Sequence, residues 1–338
     1  MAGVLLSLIP MLIIVFITYN FTQNSVLENN KNIMRLINQN SAKELNEFLN
    51  DKSDDFENWI GEATYGMAIE YNTMEELAST FESMLENTSG FSLLLLTDKN
   101  GKVLLARGSL ENKKKKISNL KGSTFPRTDK LIDKTPSHIS LGDTPYLKKL
   151  GIRYPFTFLF SYPTHDSSDK LNGLFIACLD WSVIQKNVQA VKQQLANNNL
   201  TNTDAFVSDI GSNTLLSHSD SEMIGQEIQG GNSLKQWLKG KHDLEVNEFG
   251  IQEESNYVIY DNLLDAKGLL NEKSEGLKNS ALSLGILVSK SDILAAVRQV
   301  LMISLVVVAL GGVLAVIIGL LLDRSIAKPL KKNNIATF

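Results

Sequence analysis

The sequence predicts an α+β protein with a long N-terminal stalk helix and two tandem antiparallel-sheet modules, flanked by two transmembrane helices. Three features of the chain point there. Apolar runs stand near both ends of its 338 residues, a helical apolar stripe follows the first run, and a strand-turn-strand pattern recurs about 111 residues further on.

The first charged residue is Glu28, and residues 1–19, MAGVLLSLIPMLIIVFITY, are almost unbroken apolar surface, close to the minimum for a membrane-spanning helix. Pro10 is tolerable in such a helix, because a bilayer span can kink and re-satisfy its backbone. The run lacks the basic start and small-residue cleavage site of a signal peptide, so it is expected to remain as an anchor. Residues 300–322 carry no charge in 23 positions. At ~1.5 Å per residue they cross a hydrocarbon core of ~30 Å. Arg324, Lys328, Lys331 and Lys332 follow, opposed only by Asp323. This bias places the tail in the cytoplasm and residues 20–299 outside the membrane. The missing basic flank before residue 1 and the end at Phe338 predict a fragment of a longer protein.

From residue 25 to about 68 there is no proline and the glycines are Gly61 and Gly66, while Val26, Ile33, Ile37, Leu45, Leu49, Phe56, Trp59 and Met67 recur mostly at helical steps. One rod is expected, with a break near Asp51 or Gly61 as the alternative. Such a stripe serves as a stalk and as a seam for a homodimer. A second helix is expected over 74–87, capped by Asn72 or Thr73.

The pattern then changes. FSLLLLTDKNGKVLLA (91–106) is strand, tight turn at Asp98–Gly101, strand. TDAFVSDIGSNTLLSHSD (203–220) repeats it with a turn at Asp209–Gly211. GLFIACLDWSVI from Gly173 and GILVSKSDILAA from Gly285 repeat a glycine, an apolar strand, an aspartate and a helical start. Asp180 and Asp292 there fit a turn or helix-cap role. Segments 157–163 and 256–262 are expected as middle strands, and the lysines of 113–116 as solvated loop. The chain therefore divides into a first span (1–19), a stalk and second helix (20–88), two modules (89–190 and 191–297), a second span (300–322) and a tail (323–338).

A composition of 43% hydrophobic and 21% charged residues excludes a disordered chain, and a formal net charge of -4 argues against a nucleic-acid partner. The one cysteine, Cys178, permits no internal disulfide. His138, His165, His218 and His242 lack metal-ligand spacing, and no phosphate loop, dinucleotide motif or nucleophile elbow is present. No enzyme, cofactor or metal is expected. A small-molecule pocket is. Phe156, Phe158, Phe160 and Tyr162 share one strand face, and Ile176, Cys178 and Asp180 share another. Aromatic walls with a carboxylate suit an amine or other cation, although an aromatic strand face also serves as plain core.

The order of these pieces resembles the sensor region of bacterial chemoreceptors with a double Cache domain. The quotable parts are the first span and long helix, FSLLLLTDKNGKVLLA, FSYPTHDSSDKLNGLFIACLDWSVI, FVSDIGSNTLLSHSD, and LGILVSKSDILAAVRQ running into the second span. DRSIAKPLKK resembles the opening of a HAMP linker. The resemblance implies two PAS-like modules, 89–190 membrane-distal and 191–297 membrane-proximal, and a place in a bacterial inner membrane. It implies chemotaxis signalling, with an amine, amino acid or organic acid held in the distal module. By the same resemblance Asp180 matches an amine-binding aspartate, and GDTPYLKKL (142–150) brings Tyr146 to an aromatic position. Thr144 and Leu147 depart from the family's arginine and second aromatic, and Arg153 is the candidate for a displaced carboxylate clamp. The expected ligand set is Asp180, Tyr162, Tyr146, Phe158 and Arg153. A histidine kinase or diguanylate cyclase output is the alternative, with an anchored hydrolase or a ligand-free anchor behind it.

Overall fold

The computed structural model describes residues 2–61, 64–108, 120–125, 138–143, 156–209, 213–228, 232–238, 245–251, 254–263 and 282–322. In chain order these form α1 (Ala2–Gly61), α2 (Tyr65–Tyr71), α3 (Met74–Asn87), β1 (Phe91–Asp98), β2 (Val103–Gly108), β3 (His138–Asp143), β4 (Phe156–His165) and β5 (Leu171–Leu179). Then come α4 (Trp181–Asn197), β6 (Thr203–Asp209), β7 (Thr214–His218), α5 (Asn232–Leu238), β8 (Asn247–Ile251), β9 (Glu254–Asn262), β10 (Leu282–Ser289), α6 (Lys290–Ile293) and α7 (Ala295–Leu322). The chain separates into two compact units, Met1–Ile33 with Val288–Phe338, and Met34–Leu287.

In the first unit the start of α1 lies beside α7. A Cβ added at Gly311 would stand 3.9 Å from the Met11 sulfur, an ordinary van der Waals contact, so the two helices pass side by side there with room for a small side chain. Apolar side chains face outward on both, Phe16 at 69% and Leu310 at 65% exposure. Among the described residues one segment, Val297–Ile318, is long and apolar enough to cross a membrane.

In the second unit α1 runs unbroken through Asp51 and stops at Gly61, so the expected rod to residue 68 is divided there and resumes as α2. Glycine is the poorest ordinary helix former, and its position fits a helix end. The stripe Met34, Ile37, Leu45, Leu49, Phe56 and Trp59 is buried. Its partners are in the same chain: Phe56 lies 5.4 Å from both Phe160 and Phe175, and Trp59 4.7 Å from Phe91. The buried part of the stripe proposed for a dimer seam thus packs within its own chain, while Met67 stays 51% exposed and Val26 and Ile33 are half-buried. Asn72, in the left-handed region at φ 56°, ends α2 by donating its N–H to the Ala68 carbonyl, and Thr73 precedes α3.

Two five-stranded sheets follow, β2-β1-β5-β4-β3 and β7-β6-β10-β9-β8. Each strand has its counterpart in the same place, which is the architecture expected of a repeated module. The turn at Asp98–Gly101 is built as its residues require. Asp98 Oδ1 accepts the N–H groups of Asn100 and Lys102 at 2.8 Å, and Gly101 takes φ 82°. Asp166 makes the same loop between β4 and β5, and the Lys170 and Ser168 N–H groups hold its carboxyl below the usual range. Most of the second expected turn, after Asp209, lies outside the described residues. The counterpart hairpins even share an irregularity. Between Leu96 and Thr97 the β2 register skips Leu104, and between Val207 and Ser208 the β7 register skips Leu216.

Asp180 is the N-cap of α4, accepting the Ser182 N–H at 3.0 Å. Asp292 differs from its expected cap role: β10 ends at Ser289, which stands at the N-cap position of α6 without a side-chain capping bond, and Asp292 falls inside that helix's first turn.

Candidate ligand-binding site

The central strands give the first sheet two unlike faces. Opposed residues of an antiparallel pair point to the same side. Phe160 faces Ala177 and Tyr162 faces Phe175, whereas Leu159 faces Cys178 and Ser161 faces Ile176. The first set packs toward the helices: Phe175 stacks on Tyr65 at 4.3 Å and meets Phe81 at 5.3 Å. Phe158 is buried against Trp181 at 5.4 Å. The aromatic strand face of the sequence is therefore the helix-side core.

The opposite face is formed by Leu93, Leu95, Leu159, Ile176 and Cys178, closed at one side by Val103, Leu120 and Phe125. Two polar residues interrupt it, Ser161 and Thr97, both buried. The Thr97 hydroxyl has no hydrogen-bond partner among the described residues. Burial pushes the Cys178 thiol far above its ordinary range, so it stays a protonated, inert part of this surface.

Asp180 belongs to one end of the sheet. Extending the Leu159–Cys178 pair by two positions sets Thr157 opposite Asp180, and the Asp180 N–H donates to the Gly90 carbonyl at 2.7 Å just before β1. The chain leaves β3 at Asp143 and re-enters β4 at Phe156 at this same end. Tyr146 and Arg153 belong to that connection and lie outside the described residues, as do Thr144, Leu147, Lys113 and the 323–338 tail. Tyr162 is five positions along β4 from Thr157, about 16 Å at ~3.3 Å per residue. Topology thus sets Asp180 at the end of the sheet where β3 finishes and β4 begins, with Phe158 near that end against Trp181 and Tyr162 far along the strand.

Sequence reasoning did not find the link that follows Asp180. Trp181, 1% exposed, donates its indole N–H to the Leu216 carbonyl at 3.0 Å. Leu216 is the residue skipped in β7, so its carbonyl is available to a side chain. One turn on, Gln185 donates to the His218 carbonyl at 2.7 Å and accepts from the Ser217 hydroxyl. α4 is capped in the first module and hydrogen-bonded to the second. Only the Trp next to the capping Asp could have signalled it.

No family model matches the sequence, and no curated protein does. Solved structures match. The ligand-binding domain of the Campylobacter jejuni chemoreceptor Tlp3, in complex with L-valine, is 14% identical with a TM-score of 0.51, covering 81% of this chain and 98% of that one. The ligand-binding domain of Mlp24 with asparagine is 13% identical with a TM-score of 0.50, covering 81% and 99%. The chain also covers 40% of an extracellular ligand-binding receptor from Desulfohalobium retbaense, at 10% identity and a TM-score of 0.48 over 75% of its own length. With its long helix and two equivalent sheets, the chain has the fold of chemoreceptor ligand-binding domains.

Proposed function

We propose that this chain is the sensory region of a membrane-anchored chemoreceptor that detects a small amine, amino acid or organic acid outside the cell. The observation that carries it is the pair of sheets in identical strand order behind one long helix, the arrangement shared with amino-acid-bound chemoreceptor domains. Two spans, 1–19 and 300–322, hold residues 20–299 outside, and the basic tail lies inside as the opening of a HAMP-like linker. The fold supports sensing rather than catalysis. A second chain, if it pairs with this one, does so through faces other than the buried stripe of α1.

Ligand binds in the first, membrane-distal module, at the end of the sheet where β5 finishes. Asp180 takes its ammonium, and the connection carrying Tyr146 and Arg153 supplies an aromatic contact and a carboxylate clamp. Phe158 and Tyr162 hold the helix-side core instead. Because Asp180 also caps α4, ligand acts on the helix that is bonded to β7 through Trp181 and Gln185. Such coupling requires ligand to favour one of two arrangements of that helix.

The test separates the two roles of Asp180. Asparagine caps helices as well as aspartate but carries no charge. In a melting screen of residues 26–296 against amino acids, amines and organic acids, a hit is expected to stabilise the natural protein and to lose that effect in Asp180→Asn, with the unliganded Tm nearly unchanged. Stabilisation that survives Asp180→Asn rejects the site.

A further inference from the structure

The second module holds a cavity of about 500 Å³ that the sensing role proposed for the first module does not use. Phe206, Leu215 and Ile228 form its apolar floor, continuous with the core of the second sheet. Gly285 makes this floor possible, since a Cβ there would come 2.2 Å from the Phe206 ring. Four titratable side chains line it, Lys192 of α4, Asp204 of β6, His218 at the end of β7 and Asp220 just beyond it, together with Asn202 and Asn256.

His218 is 6% exposed, and its ring stacks on Phe206 at 6.4 Å. Asp220 meets Nδ1 with both backbone groups, the N–H at 2.9 Å and the C=O at 3.1 Å. Burial disfavours the imidazolium and outweighs the pull of Asp204 and Asp220. In the neutral ring the shorter contact, from the Asp220 N–H, makes Nδ1 the acceptor, and Nε2 then carries the proton. Among the described residues Nε2 has no hydrogen-bond partner, so a nine-tenths buried donor faces the cavity. The carboxylates are half used. Lys192 at 3.3 Å and the Ser219 hydroxyl at 2.7 Å both bond Oδ1 of Asp204, and the Glu222 N–H bonds Oδ1 of Asp220 at 3.0 Å. Two carboxylates against one ammonium leave the lining negative.

We propose that this cavity is a second ligand site, which binds a small organic amine carrying an apolar body and a hydrogen-bond acceptor. The second oxygens of Asp204 and Asp220 take the ammonium, Nε2–H of His218 takes the acceptor, and Phe206, Leu215 and Ile228 hold the body between them.

The experiment is calorimetric titration of the full chain in lipid nanodiscs with tyramine and two analogues of the same shape. One is neutral, 2-(4-hydroxyphenyl)ethanol, and the other anionic, 4-hydroxyphenylacetate. Tyramine is expected to bind, with both analogues weaker by about tenfold or more, as loss of a charge-assisted contact requires. Asp204→Asn and His218→Gln are each expected to weaken tyramine uptake at the second module by about tenfold, and Asp180→Asn, measured beside them, to remove only uptake at the distal site. If one variant fails to fold, the other variant and the analogue series on the natural chain still decide. Equal binding of the three solutes, binding indifferent to both second-module variants, or no uptake of tyramine up to about 10 mM overturns the proposal. Uptake lost only in Asp180→Asn also overturns it, and leaves the distal site standing.

Discussion

Trp181→Phe tests whether α4 is fixed to the second module. The substitution keeps an aromatic ring against Phe158, at 5.4 Å in the natural protein, and removes one donor. The Leu216 carbonyl, bonded at 3.0 Å in a buried setting, then loses its indole partner. A buried acceptor left without a partner costs about 1–3 kcal/mol. The missing part of the indole leaves a small void worth about 1 kcal/mol more. The total is about 2–4 kcal/mol, which for a fragment of this size lowers the urea midpoint by about 1 M. Residues 26–296 would be unfolded in urea and followed by far-ultraviolet circular dichroism, which avoids the fluorescence of the altered tryptophan. A loss below about 0.5 kcal/mol would refute the reasoning, because it would mean that the indole hydrogen bond contributes nothing net.

Three further outcomes follow from packing and charge. Gly173→Ala would place a Cβ 2.2 Å from the Thr97 carbonyl oxygen and 2.5 Å from Ile69 Cδ1, and the carbonyl belongs to the paired strand and cannot yield. A loss above about 3 kcal/mol is expected, read as a fall in Tm. Asn38 is fully buried on α1, and neither of its side-chain polar atoms has a hydrogen-bond partner among the described residues. Asn38→Leu is expected to stabilise the fold by about 1–2 kcal/mol in the same urea assay. The His218 imidazole is held below its ordinary 6.5 chiefly by burial, so the unfolded chain takes up this proton first as pH falls. Its contribution to stability is complete above about pH 6.5 and declines below it until the native ring also protonates. His218→Gln should flatten that part of a stability–pH curve, and an unchanged curve would count against the burial.

Much of the architecture was legible because it rests on local rules. The stripe on α1, the Thr73 start of α3, the Asp98–Gly101 turn and the two glycine-to-aspartate strands each need only a few neighbouring residues of the right kind. β3 was missed because HISLGD has too little apolar alternation to stand out, and it is a strand only because β4 pairs with it. The candidate site was less legible. Period two correctly grouped Phe158, Phe160 and Tyr162, but which face of a sheet meets the helices is decided by partners distant in sequence, here Phe56, Tyr65 and Phe81. Residue type also cannot separate a capping aspartate from a binding one. Asp180 has the first role visibly, and that role does not exhaust a carboxylate with a second oxygen.

The matching irregularities in β2 and β7 bear on how the two modules are joined. An extra residue falls at the same place in both hairpins, Leu104 in one and Leu216 in the other. In the second hairpin it frees a carbonyl for the tryptophan that opens α4. A spare residue of one strand is thus the place where one half grips the other.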